Sequence, residues 1–266
     1  MSTLIMSPRR RALIGLVMVA SASQLSAAQS LENRIGASRG TVGFEFPARR
    51  NVCGNGQNIT ISDDSSTGWM TRTTRSGISI GRRVNGEQYI CEQGPVRVIV
   101  SRANGKVTDV RVSVGGKTDR AESDLGAVAP ADATRYLLAI APELNGRSAD
   151  NAIMGAAIAD GAIIWRRLIE IARDNGASEA SRKASLFWVS QEASAAATAG
   201  LDAVAADDDA QTSVRSDALF FLAQRPNGEG IPGLIRVVRE SKSVKLRKDA
   251  IWHLSAEQRS ACDRAV

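Results

Sequence analysis

The heptapeptide "ALFFLAQ", residues 218–224, decides the fold because its pattern of small, apolar, aromatic and polar residues occurs four times in the chain. The four copies are "AIMGAAI" at 152–158, "SLFWVSQ" at 185–191, "ALFFLAQ" at 218–224 and "AIWHLSA" at 250–256. Their first residues are 33, 33 and 32 positions apart. A period that is held over four copies is the sequence signature of a repeat architecture.

The residues around the heptapeptides keep the same step, as in the set Leu168, Leu201 and Leu234. Pro232 stands just inside the start of a second helix, where its missing N–H costs nothing. Each unit is therefore predicted to be two amphipathic helices whose apolar faces are covered only when units stack into a solenoid. Helix N-caps are expected at Ser181, Ser213 and Ser243. The aromatic residues that we expect to fill the core are Phe187, Trp188, Phe220, Phe221 and Trp252.

Arg182, Arg215 and Arg247 stand at matching places, about three residues before three of the heptapeptides. They are candidates either for a basic groove or for holding the stack together through ion pairs. We expect the stack-stabilising role, with Asp217 and Asp249 as local acidic partners.

The segments Val214-Arg215-x-x-Ala218 and Leu246-Arg247-x-x-Ala250 each open a helix, and Ile231-Pro232-x-Leu234 follows in the complete copy. This pattern resembles the short bacterial HEAT-like repeat, and the resemblance covers about residues 147–256. The whole layout is similar to secreted bacterial HEAT-repeat proteins of unknown function that carry an N-terminal β-domain. The resemblance implies a role in protein interaction.

Residues 41–120 are predicted to form a small antiparallel β-domain, so the fold class is α+β. The clearest signal is the alternation of valines on both sides of Asn104-Gly105, which is typical of a hairpin with a type I′ turn. We expect linkers at 29–40 and 121–130. The HEAT-like solenoid is predicted over 131–266, with an incomplete last repeat, and a frameshifted remnant of a longer array is one hypothesis for this ending.

Residues 1–28 read as a secretory signal peptide, with three arginines before a short apolar stretch and small residues before Gln29. The expected location is periplasmic or secreted, without stable membrane insertion after cleavage. An oxidising compartment favours a disulfide between Cys53 and Cys91, the alternative being two buried thiols. Removal of the three arginines lowers the net charge from +6 to +3, which together with export argues against a nucleic-acid partner.

The sequence offers little catalytic chemistry. His253 is the only histidine, and its place in the heptapeptide indicates packing. The run Asp207–Asp209 is interpreted as a solvated loop, and "VCGNGQN" at 52–58 as a turn beside the disulfide. Two interpretations are open for Arg72, Arg75, Arg82 and Arg83. We favour scattered surface arginines over a basic patch that binds an anionic ligand.

No cofactor, metal ligand or catalytic residue is predicted. The first functional hypothesis is an exported module whose helical groove binds a protein or peptide partner without catalysis. The alternative is an enzyme or an enzyme-assisting subunit, lyase- or hydrolase-like, with a site in the β-domain.

Overall fold

The computed structural model describes residues 30–61, 73–75, 78–80, 91–117, 119–192 and 194–263. The strands are β1 (Val42–Phe46), β2 (Val52–Gly54), β3 (Ile59–Ile61), β4 (Thr73–Arg75), β5 (Ile78–Ile80), β6 (Val96–Ala103), β7 (Lys106–Val114) and β8 (Ser123–Ala127). The helices are α1 (Leu31–Ala37), α2 (Pro130–Ile140), α3 (Gly146–Ala157), α4 (Trp165–Arg173), α5 (Glu179–Ser190), α6 (Ala195–Ala206), α7 (Thr212–Ala223), α8 (Ile231–Glu240) and α9 (Val244–Asp263). The predicted α+β class is confirmed.

The strands form two four-stranded sheets, in the orders β7-β6-β1-β8 and β2-β3-β5-β4. Most of the pairings are antiparallel, as predicted, but β1 pairs in parallel with β8 and β3 pairs in parallel with β5. Strand β8 has the sequence "SDLGA", which contains none of the β-branched residues that are typical of strands. It is held by pairing with β1 rather than by its own propensity.

The hairpin of β6 and β7 is confirmed. Asn104 and Gly105 both have positive φ angles, 53° and 77°, as a type I′ turn requires. The valines that face one another across the ladder, such as Val98 and Val112, give the sheet its apolar face. A bulge between Ser101 and Arg102 shifts the register near the turn.

Glycines let the two sheets cross closely at the ends of β2 and β7. A Cβ on Gly54 would lie 2.3 Å from the Val114 carbonyl oxygen, and one on Gly116 would lie 2.2 Å from the Asn55 carbonyl oxygen. The amide of Gly56 donates to the Val114 carbonyl across this crossing. The segment "VCGNGQN", interpreted as a turn beside the disulfide, is a turn only in its second part, because its first three residues form β2.

The predicted disulfide joins Cys53 to Cys91, with 5.2 Å between the Cα atoms. Cys53 lies on β2, next to the glycine crossing. Closing a loop of 38 residues is worth about 3–4 kcal/mol in the chain-entropy model.

The two predicted linkers are wrong in part. Residues 29–40 contain α1, which is capped by the Ser30 hydroxyl and buries Leu31 and Ile35. The guanidinium of Arg102 donates to the carbonyls of Ile35 and Gly36 at the other end of this helix. Residues 121–130 contain β8, which completes the first sheet.

The helical half confirms the period of the sequence. The first six residues of each heptapeptide lie on a first helix (α3, α5, α7 or α9), and the helices α4, α6 and α8 are the second members of the pairs. First helices contact the next first helix along the chain, and second helices contact the next second helix, so two layers run side by side. The core is continuous along them, as a stacked array requires.

Two of the three predicted N-caps are wrong. Ser178 caps α5 through the amide of Ser181, and α7 begins after Gln211. Ser243 accepts a hydrogen bond from the Leu246 amide at the start of α9, as predicted. The predicted helix starts are too late, because Ser181 and Ser213 already lie in the first turns of α5 and α7.

The sheet and the helices share one core. Helix α3 packs on β7, and the chain after β1 pairs with the loop that follows α3. The Arg49 amide donates to the Ile158 carbonyl, and the Asp160 amide donates to the Pro47 carbonyl. Buried residues of both halves belong to one apolar cluster, so the predicted boundary between β-domain and solenoid is a packed interface.

Among the helices of the described ranges, none is both long and apolar enough to traverse a bilayer.

Candidate functional site

The heptapeptide positions are numbered one to seven from Ala152, Ser185, Ala218 and Ala250. Position three changes from buried to exposed along the array. Its side chains are 2% exposed at Met154, 6% at Phe187, 47% at Phe220 and 61% at Trp252. The same place in the repeat therefore serves the core at one end and the surface at the other.

Positions three and four of the last three copies form a continuous row of rings, which we call the aromatic edge. It consists of Phe187, Trp188, Phe220, Phe221, Trp252 and His253. Ring centroids along it are 5.3 Å apart for Phe187–Trp188, 6.3 Å for Phe187–Phe221, 5.2 Å for Phe220–Phe221, 6.0 Å for Phe220–His253 and 5.0 Å for Trp252–His253. All five contacts are edge-to-face, the arrangement that aromatic quadrupoles favour.

The aromatic edge corrects the prediction that all these rings fill the core. Phe187 and Trp188 are buried, Phe221 is half-buried, and Phe220 and Trp252 are exposed. At the first copy α2 and the sheet cover the corresponding surface, since a Cβ on Gly155 would lie 3.1 Å from Leu137 of α2 and 3.3 Å from Val112 of β7. The exposed rings are those farthest along the array from the sheet.

Position two of the heptapeptide is buried in the first three copies and exposed in the last. Ile153, Leu186 and Leu219 are fully buried, whereas Ile251 is 53% exposed. Together with Trp252, Ile251 gives α9 an apolar outer face. Leu254 on the same helix is half-buried and packs against the core.

A row of charged and polar side chains borders the aromatic edge one helical turn toward the N-termini. The carboxylate of Asp249 accepts hydrogen bonds from the Lys245 ammonium at 2.6 Å and from the Ser216 hydroxyl at 2.5 Å. Lys183 lies 2.8 Å from Glu179 and 3.9 Å from Asp217. Burial alone would raise the pKa of Asp249, but its two donors leave that pKa below its ordinary value.

His253 belongs to this surface. Partial burial lowers its pKa below 6.5, and the nearby Asp249 carboxylate opposes the shift. Its nearest aromatic neighbours are Phe220 and Trp252. The packing role predicted for His253 agrees with these contacts.

The three arginines of the repeat bind the ends of preceding helices. Arg182 is 4% exposed and donates to the carbonyls of Asp174, Asn175 and Ala177 after α4. Its second nitrogen donates to the side chain of Gln211 in the next repeat at 2.7 Å.

Arg215, 6% exposed, donates to the Ala205 carbonyl near the end of α6 and pairs with Asp208 at 2.8 Å. Arg247 is half-buried and donates to the Ser241 carbonyl after α8. The stack-stabilising role agrees with these contacts. The predicted partners are corrected, however, because Asp217 and Asp249 bind lysines while the arginines bind carbonyls, Gln211 and Asp208.

The run Asp207–Asp209, interpreted as a solvated loop, also holds repeats together. Asp207 accepts from Arg173 of the preceding unit at 2.8 Å, and Asp208 pairs with Arg215. The Asp209 carbonyl accepts from the Asn175 side chain. Burial opposes the shift, but the bond from Arg173 leaves the pKa of Asp207 lowered.

Sequence reasoning missed Arg225, whose side chain is 2% exposed. Its guanidinium donates to the Ser190, Glu192 and Ser194 carbonyls of the preceding repeat. It also donates to the Thr198 hydroxyl at 2.8 Å. The corresponding positions of the other copies carry no arginine, so the repeat pattern could not predict a role for Arg225.

A cleft of about 480 Å³ lies beside the sheet. It is lined by Glu45, Phe46, Pro47, Ala48, Arg49, Arg50, Val52, Gln93, Gly94, Pro95 and Ala127. Its charged groups are arginines and one glutamate, and Glu45 binds Arg97 at 2.7 Å. In the described part of the chain, no group of three or more His, Cys, Asp or Glu side chains is arranged to hold a metal ion.

Of the four arginines in the weaker patch interpretation, Arg72, Arg82 and Arg83 lie outside the described residues, and only the backbone of Arg75 is described. The predicted signal peptide also lies outside them. No family model, curated protein or solved structure matches this chain.

Proposed function

We propose that this chain is an exported protein-interaction module whose aromatic edge binds a protein or peptide partner without catalysis. The observation that carries the proposal is the exposure of Phe220 and Trp252 at a position that is buried in the earlier repeats. Large rings fixed by edge-to-face contacts offer apolar area at little entropic cost, and such rings are enriched among the residues that dominate binding energies.

The surroundings of the edge favour a protein over other partners. Ion pairs such as Lys245–Asp249 give the border a mixed charge, and polar rims around apolar centres are typical of protein interfaces. The helical half is nearly neutral, which gives a nucleic-acid backbone little to bind.

Export and the repeat family are parts of the same proposal. The disulfide of Cys53 and Cys91 supports an oxidising compartment, periplasmic or extracellular. Stacked helix pairs with a period of 33 or 32 residues support the HEAT-like assignment, and the amino-terminal segment supports a cleaved signal peptide.

The test is capture of partners by the mature chain from periplasmic extract, compared with the double variant Phe220→Ser/Trp252→Ser. We expect the retained partner to be lost, with affinity reduced at least about 30-fold if each ring contributes about 1 kcal/mol. Ile163→Ser is the matched control, because Ile163 is 84% exposed and lies outside the aromatic edge.

Equal capture by the double variant and the wild-type chain would overturn the proposal. Turnover in a hydrolase and lyase substrate screen, retained by the double variant, would favour the enzyme hypothesis instead. Circular dichroism of each variant checks that the fold is intact.

A further inference from the structure

The cleft beside the first sheet has the dimensions and lining of a small-ligand site. Its volume of about 480 Å³ lies within the range of about 300–1,000 Å³ that is usual for such sites. Phe46 and Val52 lie under the cleft but are buried, so its accessible apolar surface comes from the exposed rings of Pro47 and Pro95. The cleft therefore suits an apolar group.

The charges around the cleft favour an anion. The one acid of its lining, Glu45, is engaged by Arg97. Arg49 donates to the Ala162 carbonyl at 3.1 Å and keeps its positive charge beside the cleft. The lining has two cations, Arg49 and Arg50, and no second acid to balance them.

Arg50 is the group best placed to meet a ligand. It is exposed, and its side chain makes no hydrogen bond or ion pair with any residue that the structure describes. Its backbone is held, because the Gln93 side chain donates to the Arg50 carbonyl at 3.2 Å. A guanidinium on a fixed backbone can take a carboxylate through two parallel hydrogen bonds.

We propose that this cleft binds a molecule that joins an apolar group to a carboxylate, with the apolar group against Pro47 and Pro95 and the carboxylate on Arg50. Two kinds of molecule share that chemistry, the C-terminal residue of a peptide and a free apolar acid. Arg49 adds to the positive potential without leaving the Ala162 carbonyl. The site is separate from the aromatic edge and does not depend on it.

The test is titration calorimetry of the mature chain with two pairs of probes. One pair is N-acetyl-Leu-Phe and its C-terminal amide, and the other is 3-phenylpropionate and its amide. We expect at least one acid to bind with a dissociation constant of about 1 mM or tighter and at least about tenfold more tightly than its amide. Binding by the first pair alone identifies a peptide terminus, and binding by 3-phenylpropionate identifies a free acid.

The substitution Arg50→Gln should weaken binding of the acids about tenfold or more and leave the affinity for the amides unchanged. The matched control is Arg239→Gln, an exposed arginine on α8 whose loss should have no effect. A second variant, Ala127→Trp, fills the cleft from the edge of β8 and should abolish binding of both acids.

Equal affinity for acid and amide, unchanged binding by Arg50→Gln, or no binding of either acid at about 5 mM would overturn the inference. The cleft and the aromatic edge share no residue. If the aromatic-edge variants still capture a partner, the proposed function fails, but the expected titration results for the cleft do not change.

Discussion

The two ends of the helical array carry the same heptapeptide in opposite surroundings. On α3 the pattern is buried between β7, α2 and α5, and its position two, Ile153, is fully covered. On α9 the corresponding Ile251 is half exposed, and the neighbouring Trp252 is more exposed still. The comparison teaches that the repeat pattern specifies where a side chain lies on its helix, while the neighbouring element decides whether it is core or surface.

The largest expected difference between the ends is at position two. Ile153→Ala should lower the free energy of unfolding by about 2–5 kcal/mol, since it opens a cavity in a closed core. Ile251→Ala should change it by no more than about 0.5 kcal/mol, because water already reaches that side chain. Urea unfolding of both variants measures the contrast, and similar losses at the two positions would contradict it.

The arginine that binds the preceding helix should show the same trend. Arg182→Ala removes hydrogen bonds from a buried charged group to three carbonyls and should cost about 1.5–3 kcal/mol or more. Arg247→Ala removes one such bond at a half-buried place and should cost about 1 kcal/mol. Denaturant midpoints measured at one pH test the ranking, which is wrong if Arg247→Ala is the more harmful change.

At position four of the heptapeptide, the two ends of the array differ in the space available for a large side chain. Gly155→Phe would place a ring against Leu137 and Val112, so overpacking should cost about 1–3 kcal/mol. His253→Phe introduces the same side chain at the uncovered end and should stay within about 0.5 kcal/mol of the wild type. Thermal unfolding distinguishes the two, and tolerance of the ring at residue 155 would show that the sheet contact is looser than described.

The smallest expected effect is the pH dependence of the α9 end. Because burial lowers the pKa of folded His253 below 6.5, the unfolded chain takes up the proton more readily. The stability contribution is therefore complete above about pH 6.5 and declines as the pH falls toward the folded pKa. His253→Phe should flatten that decline, and the imidazole resonances of the wild-type chain should report a pKa below 6.5.

Asp249 on the same face has the opposite sign. Its pKa in the folded chain is lowered from 3.8, so its contribution is present above that value and is lost as the pH falls further. Unfolding midpoints measured from pH 7 to pH 3 in Asp249→Asn and in the wild-type chain separate the two groups. A decline near pH 6 that persists in His253→Phe would contradict the assignment to His253.

The sequence predicted what depends on local pattern. The valine alternation around Asn104-Gly105 gave the hairpin, and the period gave the helix pairs. The pairing of Cys53 with Cys91 followed from compartment and placement. The hairpin and the individual helices need only short-range information about backbone preference and side-chain polarity, whereas the disulfide was predicted from the expected oxidising compartment.

What the sequence did not predict depends on contacts between distant segments. Strand β8 is formed by its pairing with β1, and the exposure of Phe220 depends on how far α7 lies from the sheet. Arg225 has no equivalent in the other copies, although its side chain is only 2% exposed. The cleft is assembled from segments around residues 45–52, 93–95 and 127, which no motif connects.

The pairing of the chain after β1 with the loop after α3 has a consequence for the order of folding. Arg49 and Ala162, which are joined by a hydrogen bond, lie 113 positions apart. Such a contact must wait until the first repeat exists, and closing so long a loop slows the step that forms it. The first-made strands thus remain dependent on helices made later, and we expect a chain cut before residue 158 to leave this end of the sheet without its partner.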